Sequence, residues 1–281
     1  MDTPETLSGS QTVILKPARG WLGIDLRELW HYRELIYFLT WRDIKVRYKQ
    51  AALGITWVIL QPLITALVST FVFSRSLNVN SGSLPYPLFV LSAYLPWHLF
   101  ANSLTKSSAS LVGNANLITK VYFPRIIIPL ASVLSSVLDF AISLVILLAA
   151  MAVYQVPFTW GMLWILPFAV MAMLVALSTG LWFSALNVQY RDVQQLLPFI
   201  SQTWLYITPV LYPINVGDSP LFRTIYSLNP MVGVVQGFRW ALFGGTPPNA
   251  NLWASFGAVF LLLITGIYFF RRMEKTFADV V

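Results

Sequence analysis

Few residues in this sequence could carry out chemistry. It contains no cysteine and two histidines, His31 and His98. The lack of cysteine removes disulfides, thiolate catalysis and sulfur-ligated metals together. No carboxylate cluster accompanies either histidine, so no metal site is expected. A phosphate-binding loop requires G-x-x-x-x-G-K-[ST], and no Gly-Lys pair occurs anywhere. Neither H-E-x-x-H nor G-x-S-x-G is present. The chain is therefore expected to have no catalytic residues and to bind no cofactor. Any energy source must be a partner or an ion gradient.

One acid stands out by its setting. Asp139 lies inside a long apolar run, where a carboxylate is costly and hence a functional candidate. A proton-coupled carrier would use such a group. No charged partner lies beside it in sequence, so it is expected to be held by neighbouring polar side chains such as Ser135, Ser136 and Ser143. A glycan-modifying enzyme would need an acid in an external loop, and Asp218 is the one candidate there.

The elements that must position these residues are helices in lipid. The 281 residues are 57% hydrophobic and 10% charged, with a mean hydropathy of +0.68. A soluble chain carries about 25% charged residues. A spanning helix needs about 20 mostly apolar residues, and six stretches qualify: 54–73, 86–104, 126–154, 162–188, 196–214 and 252–270. The expected fold is an all-α integral membrane protein of six transmembrane helices, with both termini cytoplasmic. In that arrangement fifteen of the 18 Lys and Arg residues fall inside, leaving Arg75, Arg223 and Arg239 outside; such a bias sets topology. The same bias explains the net charge of +7 without nucleic acid. No cleavable signal peptide is expected, and the run from Gly54 reads as an uncleaved signal-anchor.

Residues 1–25 read as a flexible cytoplasmic tail, 26–50 as an amphipathic helix in the cytoplasmic interface, 51–275 as one membrane domain and 276–281 as a second tail. Along 26–50, Arg27, Glu34, Arg42, Lys45 and Lys49 fall on one face, with Leu29, Trp30, Ile36, Leu39, Ile44 and Val46 largely away from it. Arg33, Asp43 and Arg47 blur the pattern. The loop from Asn114 to Arg125 mixes apolar and basic residues. It reads as a short surface helix offering Leu117, Ile118, Val121 and Tyr122 to a partner, or as an ordinary connection. Arg191 and Asp192 mark a cytoplasmic boundary, where Asp192 is expected to cap the next helix. The external segment 212–251 is apolar over 222–243 and broken at Asn229-Pro230, as two short re-entrant helices would be. Aromatics form 15% of the chain, more than interfacial belts alone require.

Taken in order, these segments resemble the polysaccharide-exporting ABC-2 permeases. Lys120-Val-Tyr-Phe-Pro-Arg-Ile-Ile-Ile-Pro129 is similar to the loop after their second span. Asn187-Val-Gln-Tyr-Arg-Asp-Val193, Pro198, Gln202 and Thr208-Pro-Val-Leu-Tyr-Pro213 are similar to their fourth and fifth spans. Leu228-Asn-Pro-Met231 and Gly237-Phe-Arg239 are similar to their outer re-entrant segment.

The resemblance implies a homodimer in the bacterial inner membrane. Two copies of a separate ABC ATPase would bind ATP and Mg, and the paired subunits would pass a lipid-linked glycan such as O-antigen. It implies that an ATPase-coupling loop with Asn114, Asn116, Leu117, Lys120, Tyr122, Phe123 and Arg125, and an interfacial helix with Arg42, Lys45 and Arg47, meet the ATPases. It implies an external gate with Asn229, Pro230 and Arg239. Trp57, Phe71, Tyr94 and Trp97 are the candidates for the channel lining, since aromatic faces stack on sugar rings without gripping one position. Exporters of drugs or lipids share the fold, and a carrier using Asp139 is the rival of another class.

Overall fold

Backbone polar groups in lipid must be satisfied within the segment, so long apolar runs joined by short polar connections fold as helices. The computed structural model describes residues 26–49, 54–77, 84–213, 226–245, 251–275 and 277, and every regular element among them is helical. The elements are α1 (Leu26–His31), α2 (Arg33–Lys49), α3 (Gly54–Ser69) with a π-helical extension (Thr70–Ser76), α4 (Tyr86–Gly113), α5 (Ala115–Lys120), α6 (Ile127–Leu134), α7 (Val137–Val153), a 3-10 turn (Trp160–Trp164), α8 (Ile165–Gln189), α9 (Val193–Ile207), α10 (Pro230–Phe243) and α11 (Asn251–Glu274). The tail expected over 1–25 lies outside the described residues, as do Asp218 and Arg223.

Four segments are long and apolar enough to cross a membrane: Thr56–Ser76, Ile127–Val153, Trp160–Gln189 and Trp253–Glu274. The other two expected stretches differ from these. At 86–104 the helix exists but runs on for 28 residues, carrying His98, Asn102, Lys106 and a series of serines. This polarity is tolerated because protein surrounds it: every residue from 88 to 100 is buried. At 196–214 the helix stops at Ile207. Thr208 precedes Pro209 and takes an extended conformation, φ −98° and ψ 137°, because a residue before proline is pushed out of the helical region.

α4 is the central pillar. It packs most extensively on α8, which in turn packs on α11. In lipid, helices gain by close approach of small residues. A Cβ on Gly266 of α11 would lie 2.6 Å from the Ser178 carbonyl oxygen of α8, so only glycine permits that crossing. Asn187 Nδ2 of α8 donates to the Ser108 carbonyl of α4 at 3.1 Å, both buried. The chain from 126 to 154 is broken at Ser135–Ser136 into α6 and α7, which places Asp139 in the first turn of α7, where the helix dipole favours an acid.

A second apolar cluster sits at the other end of α4 from its N-terminus. Leu39 of α2, Leu111 of α4, Ile118 of α5, Phe123, Ile127 of α6, Phe270 of α11 and Phe277 meet there. α2, the loop after α4 and the chain following α11 therefore share one end of the molecule, and that end is rich in basic residues.

Candidate functional site

At the basic end, α2 lies against α6, with Leu39 buried at 2% exposure. Leu29, Leu35 and Ile36 pack beside it. Trp30 and Val46, read from the sequence as lying largely away from the charged face, are 71% and 56% exposed. The contact is narrow because charged residues interrupt the apolar stripe.

Polar contacts complete the docking. Arg42 Nη2 donates to Asp43 Oδ1 and to Asn114 Oδ1, each at 2.8 Å. Asn114 Nδ2 donates to the Ser110 carbonyl at 2.8 Å. Two of the candidate residues, Arg42 and Asn114, thus tie α2 to the turn between α4 and α5. Five residues further along α2, Arg47 pairs with Asp139 Oδ2 and the Tyr48 hydroxyl donates to Asp139 Oδ1. Lys106 of α4 completes the cluster, its Nζ 3.5 Å from Asp139 Oδ2 and 3.3 Å from Ser135 Oγ. Burial, and secondly the bond to Asp139, push the Tyr48 phenol well above its ordinary range, so it stays a neutral donor.

This corrects the expectation for Asp139. None of the three serines reaches its carboxylate in a hydrogen bond among the described residues. Ser143 Oγ donates to the Asp139 backbone carbonyl at 2.9 Å, Ser135 Oγ donates to the Ser132 carbonyl at 2.8 Å, and Ser136 Oγ has no partner there. The partners are two cations and a phenol from two other helices, distant in sequence. A buried carboxylate is costly without compensation, and tertiary packing supplies it here.

The remaining coupling-loop candidates divide by exposure. Phe123 is buried in the second cluster and Leu117 packs partly against it. Tyr122 is 68% exposed and Val121 52%. Asn116 and Lys120 are exposed. Arg125 is engaged: its backbone N–H donates to Glu274 Oε1 at 3.2 Å, its Nη1 to the Glu274 carbonyl, and its guanidinium lies over the Phe277 ring. Lys45 is exposed, with its ammonium 5.6 Å from the Trp41 ring centre. Arg191 and Asp192 are both exposed. Asp192 makes no side-chain cap bond and is itself in the helical region, which corrects the capping expectation: a capping side chain needs a non-helical backbone to reach back over the helix start.

At the opposite end Asn229 joins three segments. Its Oδ1 accepts from Met231 N at 3.1 Å, capping α10, and from Trp204 Nε1 of α9 at 3.0 Å. Its Nδ2 donates to Thr208 Oγ1 at 3.1 Å. Pro230 occupies the first helical position, where a missing N–H costs nothing. Arg239 lies 3.7 Å from the Phe89 ring centre and donates to the Val210 carbonyl at 3.1 Å. The first of the two short helices expected there lies largely outside the described residues.

The channel candidates also divide. Trp57 on α3 and Phe71 on its π-helical extension are 55% and 64% exposed, whereas Tyr94 and Trp97 are 8% and 4% exposed inside the chain. Trp97 contacts Phe100, and Phe100 meets Trp204 edge-on. Sequence reasoning missed an open groove of about 390 Å³ along α9, lined by Phe199, Ile200, Thr203, Trp204, Ile207, Asn229 and Pro230. Its signal was available: Phe199 sits one residue after Pro198 and four before Thr203 on an apolar helix with few inward positions.

Residues 34–243 match the ABC-2 type transporter family. The chain is 31% identical over 255 residues to the O-antigen export system permease protein RfbA of Myxococcus xanthus, covering 89% of this chain and 96% of that one. It is 29% identical over 249 residues to RfbA of Klebsiella pneumoniae, covering 88% and 95%. Against the polysialic acid transport protein KpsM of Escherichia coli the identity is 23% over 248 residues, covering 83% and 91%. With all-helical architecture, apolar segments long enough to cross a bilayer and similarity running nearly end to end, the chain is a multi-pass membrane protein of the ABC-2 type transporter family.

Proposed function

We propose that this chain is the membrane subunit of an ATP-driven exporter that moves a lipid-linked polysaccharide, O-antigen-like, across the bacterial inner membrane. Two copies form the path, and two copies of a separate ATPase bind ATP and Mg and hydrolyse the nucleotide. The observation that carries the reading is the 31% identity to an O-antigen export permease over 96% of its length, which matches end to end rather than through one shared segment.

Six crossings fit this reading. α4 has 28 residues, about 42 Å at 1.5 Å per residue, enough to span. Its first turns meet the Arg239 end of the molecule, and its last residues meet the basic end. α9 has 15 residues, about 22 Å, and reaches full depth only with the turn that follows it. The basic end faces the cytoplasm, as the charge bias requires, and there the exposed Tyr122 and Val121 are offered to the ATPase. At the outer end, α10 with Asn229, Pro230 and Arg239 forms the gate. A carrier using Asp139 is disfavoured, because that carboxylate is engaged by Arg47, Tyr48 and Lys106.

Co-expression with an ABC ATPase subunit from the same genome tests the reading. A complex of two plus two is expected, with no ATP hydrolysis by the isolated chain. Depleting the chain should accumulate lipid-linked glycan on the cytoplasmic face. ATPase activity of the isolated chain, or depletion without glycan accumulation, would overturn it.

A further inference from the structure

The outward face of α1 and α2 has an unusual make-up. Trp30, Tyr37, Phe38 and Trp41 are 71%, 69%, 62% and 46% exposed. They lie opposite the side that buries Leu39. α1 and α2 are nearly continuous, since Tyr32 N bonds to the Glu28 carbonyl and Ile36 N to the Tyr32 carbonyl at 3.1 Å each, so this face is one stripe. Two cations accompany it: the Arg33 guanidinium lies 5.7 Å from the Trp30 ring centre and the Lys45 ammonium 5.6 Å from that of Trp41. Glu34 is the one acid on the stripe.

The height of this face is fixed by what α2 packs against. Arg47 and Tyr48 bind Asp139, in the first turn of α7, and α7 belongs to the apolar segment Ile127–Val153. Asp139 is midway along that segment, while Leu39 of α2 packs with Ile127 and Ile128 and Thr40 Oγ1 donates to the Ala131 carbonyl at 3.4 Å, so the middle of α2 lies beside the first turns of a membrane span. Tryptophan and tyrosine favour the headgroup layer. A cation held over an indole keeps its charge beside an apolar plate, and a lipid phosphate between acyl chain and water presents the matching surface.

We propose that the outward face of α1 and α2 is a docking surface for anionic phospholipid headgroups, with Arg33 over Trp30 and Lys45 over Trp41 as the two phosphate contacts. The proposal rests on the membrane placement given above and not on the identity of the exported substrate. Its consequence is a dependence of the α2 position, and so of the α2–Asn114 tie, on the charge of the surrounding lipid.

The lack of native cysteine makes the test direct. The full chain carrying Tyr37→Cys is labelled with a bimane fluorophore and reconstituted in nanodiscs of phosphatidylcholine and phosphatidylglycerol, with bromine on the acyl chains of one lipid or the other. Quenching by brominated phosphatidylglycerol should exceed that by brominated phosphatidylcholine at equal mole fraction. Arg33→Gln or Lys45→Gln should each lower that preference by up to about fivefold, as expected for one basic residue at an anionic surface. Neither residue contacts the Asp139 cluster, and a size-exclusion profile matching the parent establishes that the variants fold. Equal quenching by both lipids in the parent would overturn the selectivity. No quenching by either would mean that protein or water covers the face, and would overturn the lipid contact itself. Glycan export by the assembled complex is read separately, so the proposal can fail while the exporter reading stands.

Discussion

Arg47 and Asp139, 92 positions apart, form an ion pair between α2 and the first turn of α7. The carboxylate is 3% exposed and the guanidinium 40%. Lys106, 26% exposed, joins from α4. One buried acid therefore fastens three helices, and it fastens α2 near the turn where Arg42 meets Asn114.

Asp139→Asn is expected to cost about 2 kcal/mol of stability, less than a fully buried pair because Arg47 is half in solvent. α2 should loosen, visible as faster proteolysis between α2 and α3, with a lowered Tm. Export per folded complex should fall less than tenfold. Complete loss of export in a variant with parental Tm would move the assignment to a carrier.

Arg42→Ala and Asn114→Ala should each weaken the tie between α2 and the α4–α5 turn. A double-mutant cycle on Tm should give a coupling of about 1 kcal/mol, as for a hydrogen bond with a charged donor partly open to water. Additive effects would show that the tie contributes nothing measurable.

Tyr122→Asp should abolish co-purification with the ATPase while leaving insertion and Tm unchanged, since the side chain is 68% exposed. Adding Leu117→Asp should lower Tm as well, because Leu117 packs against the cluster around Phe123. Normal export by the Tyr122→Asp variant would remove that residue from the coupling surface.

Trp97→Ala should destabilise the protomer by about 3 kcal/mol or more, the cost of an emptied aromatic site in a core. Trp57→Ala and Phe71→Ala should leave Tm within about 1 kcal/mol of the parent and lower export of long chains per assembled complex. If they export normally, the glycan passes elsewhere, and the α9 groove with Phe199 is the next surface to change.

Asn229→Ala removes the α10 cap and leaves Trp204 Nε1 without its acceptor. A loss of about 1–2 kcal/mol is expected, read from Tm, with Asn229→Asp recovering most of it because its oxygens can still accept from Met231 N and Trp204.

What the sequence determined by itself was local or summed along the chain. Apolar runs fixed helices in lipid, missing motifs excluded nucleotide binding by a phosphate loop, and ordered motifs indicated the family. Asn229-Pro230 as a helix start was legible because capping is decided within four residues. Tertiary structure decided whatever depends on which faces meet. α4 could be polar only because other helices shield it from lipid, so the stretch 86–104 that the sequence marks as a span is not among the four described segments apolar enough to cross a membrane by themselves. Tyr94 and Trp57 are both aromatic residues in apolar runs, yet one is buried and the other exposed, a difference set by packing against α8 and its neighbours. Asp139 lacked a charged neighbour in sequence, and its cations came from α2 and α4. Pairing in space across 33 and 92 positions leaves no periodicity in the chain, because it is fixed only when the helices pack.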